Sequence, residues 1–341
     1  MHEGRRDFLK RTAAGLAGLA GAGIVGGCPR KAETAAPPVS STSPVTPGPV
    51  AGGVPVAHLT HGGVWSAPGQ LSRGVVLQMI DAGVKAVTGA ESAEAGWQSL
   101  FATDDVVAIK VNQISGSVFT NPVVALAIAE RLMDLGLRPG SLIVWDRKGG
   151  ELARNGYTLE EDPSKVVVRG VDGEWDDAPT RQGAFNGRLA KIVTRQCSAL
   201  INVPVLKQHG GAAVTLAMKN HYGSFDNPSQ HHGNQCDPYI ADLNSIAAIK
   251  DKTRLIICDA TYACFNGGPQ ADNPNDRWQP DAILVATDPV AHDAYGTHVL
   301  DAKRAEKGLG PLAPKQLASA ASRGLGTNDL GRISVLENRL A

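Results

Sequence analysis

The chain lacks an excess of charge of either sign: 33 lysines and arginines balance 33 aspartates and glutamates. A nucleic-acid binder normally carries a basic excess, which sets that class aside. Aromatic residues make up only 5%, too few for a base-stacking surface. The five cysteines include no CxxC and none of the clustered spacing of a ferredoxin-type centre, so no iron–sulfur cluster is expected in this chain. No GxxxxGKS or GxxxxGKT occurs, and past residue 28 there is no GxGxxG; the usual nucleotide signatures are missing. The longest candidate for a membrane span, Ala13–Gly26, is too short and too rich in glycine and alanine to make a good one.

What is there begins with an address. Arg5-Arg6-Asp7-Phe8-Leu9-Lys10 resembles a twin-arginine export signal, and Val25-Gly26-Gly27-Cys28 resembles a lipobox. Residues 1–28 are therefore expected to be a targeting segment. Its partners would be the twin-arginine translocase and, through a lipid on Cys28, the periplasmic side of the membrane. Residues 29–56 are rich in Pro, Ser, Thr and Ala without a hydrophobic period, the composition of a disordered tether. Removal of the targeting segment leaves 29 basic and 31 acidic residues, so the balance persists. Cys197, Cys236, Cys258 and Cys264 remain. An oxidising compartment permits disulfides, but spacing does not define a pairing. Cys197 and Cys258, in or beside apolar strands, read as buried thiols.

Residues 57–341 alternate between short apolar runs and helical periods. Helices are expected over 73–88, 123–135, 237–249, 289–307 and 314–322, and strands over 106–111, 142–145, 166–168, 255–258, 283–286 and 333–336. Asn121-Pro122 reads as a cap followed by proline at the first helical position. Gly170–Gly187 has no period and reads as a long loop or a small inserted hairpin. Strands separated by helices predict an α/β fold: a mainly parallel sheet with helices on both faces in Rossmann-like layers. It would form one large domain or two closely packed lobes.

The chain is organised around Ser198–Gly223. Ala199–Leu206 suits a buried strand, and Pro204 within it argues for an edge or an irregular strand end. Lys207 and His209 are two apart and would share a face at the strand's carboxyl end. Gly210-Gly211 turns the chain, and Ala212–Tyr222 reads as a helix with Gly223 its C-cap. On that helix Thr215 and Lys219 face the same way, with Asn220 beside them. Other apolar runs also lead into ionisable residues: Lys110 and Asn112, Asp146, Asp259, Asp288. In open α/β sheets ligands bind at the carboxyl ends of the strands. Asp288 before Pro289 is equally a helix N-cap. Gly267 and Gly268 would bring backbone amides over the same sheet edge. His221, His231 and His232, with His209 and an aspartate, are chemically able to hold a divalent metal.

VAIKVN (Val107–Asn112), INVPVLKQH (Ile201–His209), VTLAMKNHYG (Val214–Gly223), NGGP (Asn266–Pro269) and ATDPVAHDAYG (Ala286–Gly296) occur in this order. Together they resemble the family called domain of unknown function 362, over about residues 106–296. The resemblance marks Lys110, Asn112, Lys207, His209, Thr215, Lys219, Asn220, Asp259, Asp288 and Asp293 as motif positions and implies no reaction. From the residues themselves, the expected function is an exported enzyme acting on a small anionic molecule. Lys110, Lys207 and Lys219 would hold the anion, His209 would be the general acid/base, and Asp259 or Asp288 would orient His209 or a lysine, or bind a cation. The competing expectation is an accessory protein that holds a metal or cofactor for electron transfer without catalysis.

Location is testable directly. Replacing Arg5 and Arg6 with lysine should block export, and Cys28→Ala should move the protein from the membrane pellet to the soluble fraction. Normal export of the first variant, or membrane retention of the second, would refute the respective assignment.

Overall fold

The computed structural model describes residues 51–341; Arg5-Arg6, Cys28 and the tether up to residue 50 lie outside the described residues. The chain from β1 (Val54–His61) passes through the β2 (Trp65–Ala67) and β3 (Gln70–Leu71) hairpin to α1 (Arg73–Thr88) and α2 (Ala93–Leu100). β4 (Val107–Lys110), α3 (Pro122–Asp134), β5 (Leu142–Asp146), α4 (Gly149–Arg154) and β6 (Val167–Gly170) follow. A hairpin of β7 (Thr180–Gln182) and β8 (Phe185–Gly187) occupies the stretch without a period. Then come β9 (Ala199–Asn202), β10 (Val205–His209), β11 (Ala213–Val214), α5 (Leu216–Asn220), α6 (Tyr239–Asn244) and α7 (Ala247–Lys250). The chain closes with β12 (Thr253–Cys264), β13 (Arg277–Trp278), β14 (Ala282–Ala286), α8 (Pro289–Glu306), α9 (Lys315–Ser322) and β15 (Ile333–Leu340).

The large sheet has the order β15-β1-β14-β12-β9-β4-β5-β6, with β10, β11 and β13 attached beside this path. β12, β9, β4, β5 and β6 run parallel, so the expected mainly parallel α/β architecture is present. β5 and β6 extend to one side of β4, and β9 lies on the other. The connection therefore reverses direction between β4 and β9, the place where such sheets open a crevice at their carboxyl ends.

Alternation of side chains distributes each strand between two faces. Val107, Ile109, Leu142, Val144, Ile201, Leu255 and Ile257 join α1 and α3 in one core. Ala108, Ile143, Trp145 and Leu200 face the opposite side with Met218, Tyr222, Ile240 and Leu243. Helix α1 has the range its period predicts, and it buries Val76, Met79, Ile80, Val84 and Val87 along one stripe. Asn121 caps α3 by accepting from the Val123 amide, with Pro122 in the first turn.

Four departures from expectation have local causes. β1 begins at Val54, inside the stretch expected to be tether, because it pairs with both β14 and β15. The expected 199–206 strand is divided into β9 and β10. Pro204 has no amide to give, but its carbonyl accepts from the Asp259 amide at 2.9 Å. The expected 237–249 helix splits at Ile246, which is extended. The expected 212–222 helix shrinks to the five residues of α5, because Ala213 and Leu216 are left-handed and Ala213–Val214 forms β11 against β10. Gly223 is not its cap; it sits in the following 3-10 turn.

Asp288 does not lie at the carboxyl ends of β4 and β5. β14 runs antiparallel to β12, so its carboxyl end points to the opposite edge of the sheet from those of β4 and β5. There Asp288 Oδ1 accepts from the Val290 and Ala291 amides, both at 2.8 Å, and Oδ2 accepts from the Thr327 amide. The alternative role as the N-cap of α8 is the one observed. Asp288→Ala should lower the unfolding free energy by about 1–2 kcal/mol in a urea titration, the usual worth of such a cap; an unchanged midpoint would contradict it.

Candidate functional site

A cleft of about 240 Å³ opens at the carboxyl ends of β4 and β5, beneath the segment from His209 to His232. Of the residues singled out in the sequence, it is lined by Lys110, Asn112, His209, Thr215, Lys219, Asn220 and His232. Asp146, Arg147, Glu151 and Tyr222 complete its polar wall.

The floor is a buried polar network. Lys110, 1% exposed, donates to Asp146 Oδ1 at 2.7 Å, to the Val111 carbonyl at 2.6 Å and to Asn220 Oδ1 at 3.3 Å. Asp146 Oδ2 accepts from the Gln113 amide, and its Oδ1 also accepts from the Arg147 amide. Asn112 Nδ2 donates to Asn220 Oδ1, whose Nδ2 donates to Asn202 Oδ1. Asn202 Nδ2 in turn donates to the Ala217 carbonyl of α5. Lys207, fully buried, donates to Asn112 Oδ1 and the Val118 carbonyl. A Cβ on Gly223 would stand 2.7 Å from Asp146 Oδ1 and 2.8 Å from Lys110 Nζ, so only glycine lets the chain cross so close to this pair.

The side wall carries the chemistry. Lys219, 6% exposed, lies with Nζ 3.3 Å from the centroid of the Tyr222 ring and 3.4 Å from His232 Nε2. Burial draws its pKa from the ordinary 10.5 down to about 7. The ring face offsets part of the lost hydration; no carboxylate is hydrogen-bonded to it. His209 Nδ1 accepts from the Gly211 and Ala212 amides, which places its proton on Nε2. Burial, then the Lys219 charge, lowers the His209 pKa to about 3. It is therefore a neutral hydrogen-bond donor at physiological pH rather than the expected general acid/base. Among the described residues, two further polar atoms of the lining side chains have no partner, Thr215 Oγ1 and Arg147 Nε. Burial, then the Asp146 charge, raises the pKa of Glu151.

Helix α5 is too short to stand alone and is held from below. Asp293 on α8 accepts from the Ala217 amide at 2.7 Å and the Met218 amide at 3.0 Å. That explains the Asp293 motif position: it fixes the helix that carries Lys219.

Several expected site residues lie elsewhere. β12 continues past Cys258 to Cys264, so Asp259 is inside a strand and not at its end. Its carboxylate holds the Thr261 hydroxyl and the Asn121 amide, in a hollow lined by Trp65, Phe119 and Tyr262, and it touches neither His209 nor a lysine. Lys207 is sealed behind Asn112 rather than sharing the cleft with His209. Gly268 gives its amide to Gln208 Oε1, and Gly267 shapes the turn with positive φ; neither lines the cleft. The histidines are dispersed. His221 pairs with Ser224 Oγ, His231 packs among Phe185, Phe225 and Tyr239, and only His232 reaches the cleft to stack on His209. Among the described residues, no group of three His, Cys, Asp or Glu is placed to hold a metal ion. The four cysteines are buried free thiols. Arg147 and Glu151 escaped the sequence reading, although Arg147 directly follows the strand-ending Asp146.

The lysines now separate. Lys110→Met would strand the buried Asp146 carboxylate and should cost about 3–5 kcal/mol. Lys219→Met removes a buried charge that has no carboxylate. The folded protein bears the whole cost of that charge below pH 7 and sheds it as pH rises from 7 to 10.5. The variant should therefore melt higher than the wild type below pH 7, with the difference closing towards 10.5. Thermal melts across that range check both; a destabilised Lys219→Met at every pH would mean an unseen partner.

No curated protein matches the chain. A crystal structure of a protein from Thermotoga maritima is similar at 10% identity and a TM-score of 0.36, covering 70% of this chain and 60% of its own length. A likeness that weak supports no functional conclusion. Residues 107–298, more than half of the chain and the whole of the cleft, match the model for domain of unknown function 362, and the chain belongs to that family.

Proposed function

We propose that the protein is an exported enzyme acting on a small anionic substrate in the Lys219 cleft. One observation carries this reading: a buried lysine with no carboxylate partner among the described residues lines a cleft together with Arg147 and Thr215. A buried charge without a counter-charge is costly. An anion in the cleft supplies that counter-charge.

The charge count agrees. Asp146 is neutralised by Lys110, which leaves Arg147 and Lys219 against Glu151 alone. Inside a low-dielectric pocket that surplus of positive charge selects an anion. Arg147, whose Nη2 is anchored on the Asp226 carbonyl, offers a planar fork suited to a carboxylate or phosphate. Catalysis rather than simple binding is favoured by Lys219, whose pKa of about 7 suits it to proton transfer at working pH. Export rests on the Arg5-Arg6 motif.

Thermal shift in a series of phosphate, sulfate and small carboxylates tests the reading. A ligand bound only by the folded state at about 100 times its dissociation constant adds about 2.7 kcal/mol, or several degrees. The shift should be largest below pH 7, where Lys219 is charged, and should disappear in Lys219→Met. A wild-type melting temperature indifferent to every anion would remove the proposal.

A further inference from the structure

The same reading leaves the task of Lys219 open, because an arginine already stands in the cleft to hold charge. We propose that Lys219 is a covalent residue: its amine captures the carbonyl carbon of a small anionic aldehyde or 2-oxo acid as an imine. His232 accepts the proton released in that step, and Arg147 holds the substrate's anionic end. The inference rests on the anionic-substrate reading and divides its two cations between two roles.

The geometry around Nζ is that of a nucleophile with a base beside it. His232 Nδ1 lies 2.8 Å from the Pro228 carbonyl, an acceptor only, so the ring proton sits on Nδ1. The Nε2 lone pair is then the atom 3.4 Å from Lys219 Nζ. The Tyr222 ring covers Nζ at 3.3 Å and its hydroxyl is tied to the His231 carbonyl, so the ring is fixed and offers no proton acceptor. The titratable groups around Nζ are His232, His209, Tyr222 and the Cys236 thiol. The two imidazoles are kept neutral, and burial raises the Cys236 pKa; no anion among them pins the amine in its charged form. A desolvated amine that loses its proton near pH 7 is reactive under conditions where surface lysines are ammonium ions. Volume also fits, since about 240 Å³ has room for a small oxo acid.

The step balances without a further reagent. The Nζ lone pair attacks the carbonyl carbon, and the proton shed by nitrogen passes to His232 Nε2. His232 passes that proton to the carbonyl oxygen, which gives the carbinolamine. The second proton of the nitrogen moves through His232 to that hydroxyl, the C–O bond breaks, water leaves, and the C=N bond forms. The neutral His209, with its proton on Nε2, is a hydrogen-bond donor to the oxygen while it develops charge. An oxo acid held this way has the bonds next to its imine carbon activated for proton removal or cleavage, and Glu151 is a carboxyl group of the cleft with a raised pKa.

Reductive trapping tests it with the whole chain. The purified protein is incubated with glyoxylate and sodium cyanoborohydride, digested, and mapped by mass spectrometry, with the labelling of each lysine peptide followed in time. The expected result is preferential labelling of Lys219 over the surface lysines, rising as pH passes through 7. His232→Gln should slow it several-fold. Phosphate should protect Lys219 and no other lysine. Substituting acetaldehyde for glyoxylate should weaken the preference several-fold, because Arg147 then has no anion to hold. Because the decisive comparison is between peptides of the wild-type protein, it does not depend on any variant folding. Labelling confined to surface lysines, or none, while phosphate still raises the melting temperature would overturn the imine and leave the anion reading standing. The same result with no phosphate effect would end both.

Discussion

The Lys110–Asp146 pair is the interaction on which the cleft depends. Two charges buried under the end of a parallel sheet are tolerable only if they face each other and if their remaining valences are filled. Here they are: Asp146 also receives two backbone amides, and Lys110 spends its other protons on a carbonyl and an amide oxygen. Their closeness is secured by the missing side chain at Gly223. The pair has an electrostatic effect beyond its own stability. By neutralising the Asp146 carboxylate, it leaves Glu151 as the carboxylate of the lining that faces Arg147 and Lys219.

Around that couple, asparagine amides form an uninterrupted chain from Lys207 through Asn112, Asn220 and Asn202 to the backbone of α5. Each of these asparagines both gives and receives, so replacement of any one breaks the chain on two sides. Conspicuous polar residues in a motif need not be the ones that meet substrate. Asn112 and Asn220 border the cleft, yet their hydrogen-bonding capacity is spent on holding its floor.

Much of the fold and part of the site were legible in the sequence. Strand and helix periods gave the layers, and the rule that chemistry collects where apolar strands end located Lys110, Asp146 and the His209 segment. The failures share a cause. Hydrophobic alternation reports which face a side chain takes and is silent on strand direction and strand length. Asp288 was placed at the wrong edge because nothing in Ile283–Ala286 says that β14 runs antiparallel. Asp259 was taken for a strand end because Ala260 and Thr261 look no different in a turn. Pairing was equally hidden: Lys110 and Asp146 are 36 positions apart, and only the register of two parallel strands brings them together. The histidines misled because the stretch from His221 to Cys236 is a series of 3-10 turns, where sequence spacing does not translate into spatial spacing.

Helix α5 is five residues long, less than the length at which a helix sustains itself in water. Its first free amides are bound by Asp293, an acid on α8 that itself sits beside the buried His292 ring. The two walls of the cleft thus rest on different supports. Lys110 and Asp146 are fixed by the register of neighbouring parallel strands, whereas the helix of Lys219 is fixed by a carboxylate on the outer helix α8. A substitution in that outer layer can therefore shift one wall while the charged floor stays as it is.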